Sequence, residues 1–488
     1  MAKAIIIGSG IAGLATAIRL SCKGYDVEVF EANPYVGGKL SSFNLGSYKF
    51  NFGPQLLTMP HYIDELFELC GELPGDKFIY KKKEISCKYF WDDGIKLTAY
   101  SNKKKFFNEI EEVLKISTKD LKKYLQKSKR KYELTKKIFL ENSLHKLKNF
   151  FNKETIIGLL NLNYLEINKT LADINEKQIQ EPHLVQLYNR FATYNGSNPY
   201  QTPGIMSMIQ HLENHYGTFV AKNGMGDISE SLKELCIKHS VKIHLNSKVE
   251  KIEVKDKKAQ GVMVKNKFHP SDLVISNMDI YPTYRYLLKK HKQPTKILEQ
   301  ERSSSAVIFY WGIKKKFPEL DLHNIFFSND YRQEFENIFE KFTVGEDLTV
   351  YVNITSKDNP TDAPDGCENW YVMVNTPFNN GQDWKVISNR IRENVIKKLN
   401  KLLKVRLDDL IEEEMTITPS EIEQKTMSYL GALYGTSSNS KISAFLRHPN
   451  FSRNISNLYF CGGSVHPGGG IPLCLMSAKI VSELIPKA

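Results

Sequence analysis

The sequence predicts an α/β protein: a dinucleotide-binding domain assembled from separated stretches of chain, a second domain built on a sheet, and a helical cap. Three observations predict it. A strand, a glycine-rich loop, a helix and a second strand stand at the extreme N-terminus, a second glycine-rich strand-to-helix junction lies near the C-terminus, and β-rich segments fill the interval. At 488 residues the chain exceeds what one hydrophobic core usually supports, so packed regions sharing a large cleft are expected.

The N-terminal unit comes first. Ala4 to Ile7 is a short continuous apolar run of the kind that forms a parallel strand buried on both faces. It ends in Gly8-Ser9-Gly10-Ile11-Ala12-Gly13, helical spacing continues through Leu14, Ala17, Ile18 and Leu20 to Gly24, and Val27 to Glu31 reads as a second strand ending in an acid. This is the G-x-G-x-x-G pattern of a Rossmann-type βαβ unit. Gly8 permits the tight turn, Gly10 lets the backbone approach a pyrophosphate, Gly13 allows close helix–strand packing, and Ile11 and Ala12 open a helix whose unpaired N–H groups attract phosphate. Glu31 is expected to accept hydrogen bonds from ribose hydroxyls. No second G-x-G-x-x-G follows, so a separate nicotinamide site is not expected.

The C-terminal junction is the second element. Leu458 to Cys461 reads as a buried strand ending at a glycine pair, and Ile471 to Ile485 as a helix. Backbone N–H groups at such a junction point outward and can hold the electron-rich edge of a ring, and successive glycines leave room for a flat ligand. The dinucleotide domain is read as residues 1–75, 219–282 and 428–488, with strands at Val241 to Leu245 and Asp272 to Asn277. Residues 76–100, 176–218 and 283–427 are read as the second domain. Its apolar strands at Val307 to Ile313, Leu348 to Asn353 and Trp370 to Asn375 are expected in one sheet, covered by a helix from Asp383 to Leu403.

Residues 101–175 form the expected cap. Between Lys103 and Lys153 stand sixteen Lys and Arg against six Asp and Glu, which accounts for most of the net charge of +12. Apolar residues such as Phe106, Ile110, Leu121, Phe150 and Ile156 alternate with these lysines, the pattern of an amphipathic surface able to sit at anionic headgroups. A solvated helical face is the simpler reading of the same run. No apolar run approaches the roughly 18 residues a membrane span needs. The N-terminus leads straight into a strand with no secretory signal pattern, so a cytoplasmic protein, peripheral at the inner face of the membrane, is expected. The seven cysteines are scattered and never spaced C-x-x-C, so packing thiols and no metal site are expected. A sequence pI near 9.0 raises nucleic-acid binding, but no recognised module supports it.

Glu31 is followed after five residues by Gly37-Gly38-Lys39. This resembles the second half of the FAD signature shared by amine oxidases, protoporphyrinogen oxidases, carotenoid desaturases and Rab GDP-dissociation inhibitors. That group has arginine where this chain has Lys39, and lysine keeps the charge but loses the planar fork of a bidentate phosphate contact. Four further segments are similar to the bacterial-type carotenoid desaturases, the phytoene-desaturase family. They are Phe52-Gly53-Pro54 with Thr58, Thr193-Tyr194-Asn195-Gly196 with Pro199, Lys222-Asn223-Gly224-Met225-Gly226, and Gly462-Gly463-Ser464-Val465-His466-Pro467-Gly468-Gly469-Gly470-Ile471-Pro472. Asn223 departs from the family's glycine.

The resemblance implies a flavin amine oxidase-like fold and FAD as cofactor. The implied FAD contacts are Gly8, Gly10, Ile11, Ala12, Gly13, Glu31, Ala32, Gly37, Gly38, Lys39, Gly53, Pro54, Val249, Gly463, Gly470, Ile471 and Pro472. It implies hydride transfer from a hydrophobic carotenoid to flavin N5 and reoxidation by oxygen or a quinone. His466 becomes the candidate for proton transfer, with Tyr194, Asn195 and Arg190 on the substrate side. Within the family the overall pattern is most similar to 3,4-desaturases of 1-hydroxylated acyclic or monocyclic carotenoids, with phytoene desaturation as the alternative. An amine or porphyrinogen oxidase, and a prenyl-lipid carrier of the GDP-dissociation-inhibitor type, are the other readings the shared fold leaves open.

Overall fold

The computed structural model describes residues 1–136, 142, 145 and 162–488. Its first sheet is parallel, with strands in the order Leu458–Phe460, Leu273–Ser276, Lys3–Ile7, Asp26–Phe30 and Lys242–His244. The apolar N-terminal run takes the central place, where Ala4, Ile5 and Ile6 are fully buried because both faces are covered. Helices Ile11–Ser21, Asp227–Lys238 and Ile471–Leu484 cover one face through Leu14, Ile18, Leu232, Leu475 and Val481. A three-stranded antiparallel layer, Val249–Lys255, Lys258–Val264 and Lys267–Pro270, covers the other through Ile252 and Val262. The strand order reverses on either side of Lys3–Ile7, so a crevice opens beyond its carboxyl end, at the Gly8 to Gly13 loop.

The second sheet has seven strands in the order Ile411–Ile417, Ser305–Ile313, Glu368–Thr376, Val350–Ile354, His323–Phe326, Ile85–Phe90 and Lys96–Tyr100. All pairs are antiparallel except His323–Phe326 with Ile85–Phe90. The three strands read from apolar patterning are neighbours in this sheet. Helix Trp384–Leu403 packs on one face, burying Ile391, Val395 and Leu399 against Trp311, Val350, Val352 and Trp370. Because side chains alternate along a strand, Ile308 and Tyr310 turn to the opposite face from Phe309 and Trp311. There the register aligns two cross-strand rows, Ile308, Met373, Tyr351, Ile325 and Tyr89, then Tyr310, Tyr371, Asn353 and His323.

Helices Lys103–Leu114 and Lys119–Thr135 begin the basic segment. Their apolar positions Phe106, Ile110, Leu121 and Tyr124 share a core with Tyr89, Phe191 and Phe327, so they face the protein and are not available to a bilayer. That corrects the expectation for these residues; Phe150 and Ile156 lie outside the described residues. Lys131, read as part of the charged surface, is buried instead. Its Nζ donates to Glu166 Oε2 at 2.7 Å, Ser207 Oγ at 2.8 Å and Gly204 O at 3.1 Å, and burial pulls its pKa down to about 8. Among the described residues no helix is long and apolar enough to cross a membrane.

Candidate functional site

A cavity of about 1140 Å³ is lined on one side by the glycine loops of the parallel sheet and on the other by the inner rows of the second sheet. Helix Ile11–Ser21 opens toward it with no side-chain cap and no acidic residue in its first turn. Its first N–H groups, with the positive end of the helix dipole, are therefore left for an anion beside Ile11 and Ala12. Gly13 stands behind the loop. A Cβ there would lie 2.2 Å from the Gly8 carbonyl oxygen, so only glycine lets helix and strand approach this closely. With its amide oxygen turned to the loop, Asn277 accepts from Gly10 N–H at 3.1 Å and Gly13 N–H at 3.3 Å. Gly10 N–H is thus engaged, and the N–H groups of Ile11 and Ala12 are the ones open to a ligand.

Two expected cofactor contacts line the cavity but already have partners within the chain. The Glu31 carboxylate lines the cavity, but Ser9 N and Ser9 Oγ each donate to Oε2 at 2.8 Å, and Asn33 N and Nδ2 donate to Oε1 at 2.8 and 3.0 Å. Four donors occupy its acceptor sites, so a ribose hydroxyl would have to displace one of them. Lys39 is partly buried and donates to the Leu433 and Ala432 carbonyls at 3.0 and 3.4 Å. Burial lowers its pKa, opposed by Asp279. Its ammonium ties the Gly37-Gly38 segment to the C-terminal segment.

Ala32, Gly37, Gly38, Gly53, Pro54, Val249, Gly463, Gly470, Ile471 and Pro472 all line the cavity; of the expected cofactor residues only Gly13 does not. Gly470, at φ +105°, immediately precedes helix Ile471–Leu484, and a Cβ added to it would meet nothing within 4 Å. A flat ring can lie directly against this backbone.

Arg190, Tyr194, Asn195 and His466 line the same cavity. Arg190 is buried, and its Nη2 donates to Tyr89 Oη at 2.9 Å and its Nη1 to Tyr194 Oη at 3.3 Å. The Glu213 carboxylate lies 3.7 Å from Nη2 and accepts from Tyr194 Oη. Asn195 Nδ2 donates to Ser438 Oγ at 3.0 Å. His466 Nε2 stands 2.8 Å from the Asn142 carbonyl, so Nε2 carries the proton, and burial lowers the pKa of the ring to about 4. The imidazole is neutral at neutral pH and has only Nδ1 to accept a proton.

Several cavity residues carried no sequence signal. Asn277 is the last residue of a predicted strand, Glu213 lies in the π-helical turn Leu212–Tyr216, and Tyr434 falls between glycine motifs. His323 begins a four-residue strand, and its Nδ1 is 2.7 Å from Tyr351 Oη and 3.2 Å from Asn353 Nδ2. Asn353 Nδ2 also donates to Leu322 O at 2.9 Å, so Nδ1 of His323 is an acceptor and Nε2 carries the hydrogen. Nε2 has no hydrogen-bond partner among the described residues, and burial drops the pKa of the ring to about 3.

Residues 11–486 match the family of flavin containing amine oxidoreductases. A 1-hydroxycarotenoid 3,4-desaturase of Flavobacterium sp. (strain P99-3) is 53% identical over 486 residues, covering 100% of this chain and 99% of that protein. A 4,4'-diaponeurosporene oxygenase of Staphylococcus aureus (strain MSSA476) is 30% identical over 99% of this chain and 97% of its own. Among solved structures, an oxidoreductase from Methanosarcina mazei superposes with a TM-score of 0.65 at 15% identity over 99% of this chain and 100% of the other. A putrescine oxidase bound to putrescine gives 0.63 at 12% identity over 99% and 98%. At such identities these two structures bear on the fold alone. The chain therefore belongs to the flavin-containing amine oxidoreductase family, in its carotenoid-desaturase branch, as an FAD-dependent oxidoreductase.

Proposed function

We propose that this protein introduces the 3,4 double bond into a 1-hydroxylated acyclic or monocyclic carotenoid. The observation that carries the reading is the cavity itself, which joins an uncapped, glycine-lined anion site to an apolar sheet face. The full-length relative that acts on 1-hydroxycarotenoids supports the same substrate class. The N–H groups of Ile11 and Ala12 would take the pyrophosphate of FAD, Val249 and Ala32 would flank its adenosine half, and Gly463, Gly470, Ile471 and Pro472 would back its ring, with Gly37, Gly38, Gly53 and Pro54 beside it. Bound FAD supplies the hydride acceptor that removal of two hydrogens from a carbon–carbon single bond requires. Oxygen or a quinone is the proposed final electron acceptor.

The chain's own residues position the substrate and exclude water. Ile308, Met373 and Ile325 form an apolar floor on which an extended polyene can lie. The polyene itself spreads the positive charge that develops as hydride leaves an allylic carbon, so no enzyme carboxylate is needed for that purpose. His466 can take the departing proton only through Nδ1, and its low pKa makes it a weak acceptor.

Beside the apolar floor, Nε2–H of neutral His323 is the donor that a substrate hydroxyl would satisfy, with Arg190 lining the same cavity. Sites built to bond a hydroxyl reject analogues that lack it by large factors. The wild-type protein is expected to favour a 1-hydroxylated carotenoid over its hydroxyl-free counterpart by at least ~100-fold in kcat/KM, and His323→Leu to narrow that ratio by about tenfold or more. The ratio separates recognition from a structural role, which would lower both rates together. An unchanged ratio rejects His323 as the receptor; efficient conversion of phytoene by the wild type rejects the substrate class.

Delivery of so insoluble a substrate from a membrane surface belongs to the same reading, supported by the basic segment from Lys103. Co-sedimentation with anionic but not neutral vesicles is the expected result, and equal recovery with both would remove it.

A further inference from the structure

Three helices of the dinucleotide-binding half end at one place on the surface. Cys22 caps the C-terminus of helix Ile11–Ser21, Cys70 that of helix His61–Leu69, and His239 that of helix Asp227–Lys238. The two sulfurs lie 3.0 Å apart, and one ligand atom from each of the three residues falls within 4.8 Å of the others. Nε2 of His239 is buried without a hydrogen-bond partner among the described residues, and Glu72 Oε1 stands 3.9 Å from it. Cys22 is exposed, so the cluster is open to solvent.

We propose that Cys22, Cys70 and His239 form a binding site for a zinc-like divalent cation, with water or Glu72 completing the coordination. Two thiolates and an imidazole are the donor set that borderline-soft cations such as Zn²⁺ prefer, at about 2.3 Å for sulfur and about 2.0 Å for nitrogen. Two sulfurs on one tetrahedral ion stand about 3.8 Å apart, so these need part by only about 0.8 Å. The placement favours a cation for a second reason. The C-terminal ends of three helices each direct partial negative charge toward the cluster, which stabilises a bound positive ion. The ion would join the far end of the helix that opens at the glycine loop to two helices packed beside it, a cross-link the scattered cysteine spacing did not foreshadow.

The test uses the full-length, FAD-loaded protein, stripped with chelator under reducing conditions, then given Zn²⁺ and desalted. The expected result is about one zinc retained per chain, with Cys22→Ser and His239→Ala each lowering retention at least ~10-fold while bound flavin stays at the wild-type level. Equal retention by the wild type and both variants would overturn the site. So would a protein whose Cys22 and Cys70 are found joined as a disulfide under reducing conditions, because the pair would then be a covalent link.

Discussion

Replacing Gly13 with alanine is expected to yield folded protein that retains no flavin through purification. The new Cβ would stand 2.2 Å from the Gly8 carbonyl oxygen, a backbone atom that can retreat only if the whole loop moves. Moving it shifts the helix N-terminus off the phosphate position, and the expected loss in FAD affinity is at least ~100-fold, or about 2.8 kcal/mol. Gly10→Ala makes a useful contrast. There the Cβ would meet the Asn277 side-chain amide at 2.8 Å, a group that can rotate away, so a smaller loss is expected. Flavin absorbance of the purified variants, with circular dichroism as a check on folding, measures both. Wild-type affinity in Gly13→Ala would show that the loop does not hold the cofactor.

The second large effect concerns stability. Arg190 lies among Tyr89 and Glu213, both buried, and the partly buried Tyr194. Removing one partner of a buried ion pair leaves an uncompensated charge, at a cost of about 3–5 kcal/mol, whereas removing both charges costs far less. Arg190→Met should lower unfolding free energy by that amount, and adding Glu213→Gln should restore part of it. Denaturant titration of the single and double variants reads the difference. If the single substitution costs under ~1 kcal/mol, or if the two losses simply add, the pair is not a coupled unit.

How much of this was legible in the sequence depended on whether the signal was local. The N-terminal βαβ unit could be read because strand, loop and helix are contiguous, and the close packing assigned to Gly13 appears in the structure as the Gly8 contact. The three apolar strands of the second sheet were recognisable by composition. The parallel pairing of His323–Phe326 with Ile85–Phe90 was not, because no pattern records pairing across more than two hundred residues.

The site shows the same division. Nearly every residue implied by the glycine motifs lines the cavity, since a motif marks a backbone shape and backbone shape places the residue. Side-chain partners were beyond reach. Nothing in Glu31 or Lys39 announces that Ser9 and Asn33, or the carbonyls of Ala432 and Leu433, already engage them. His323 stayed hidden because a four-residue, fully buried strand has no polar alternation to tell which face looks into the cavity. The apolar residues of Lys103–Leu114 misled in the opposite sense: amphipathic spacing shows that a face is covered without saying whether protein or lipid covers it.

The central claim is that electrons pass from a hydroxylated polyene to flavin inside one cavity. It is tested most directly by mixing the FAD-loaded protein with a 1-hydroxycarotenoid in the absence of oxygen and following both chromophores. The flavin absorbance should bleach as the carotenoid band moves to longer wavelength, one molecule of newly desaturated product appearing for each flavin reduced. A flavin that stays oxidised with the carotenoid bound and unchanged would contradict the account.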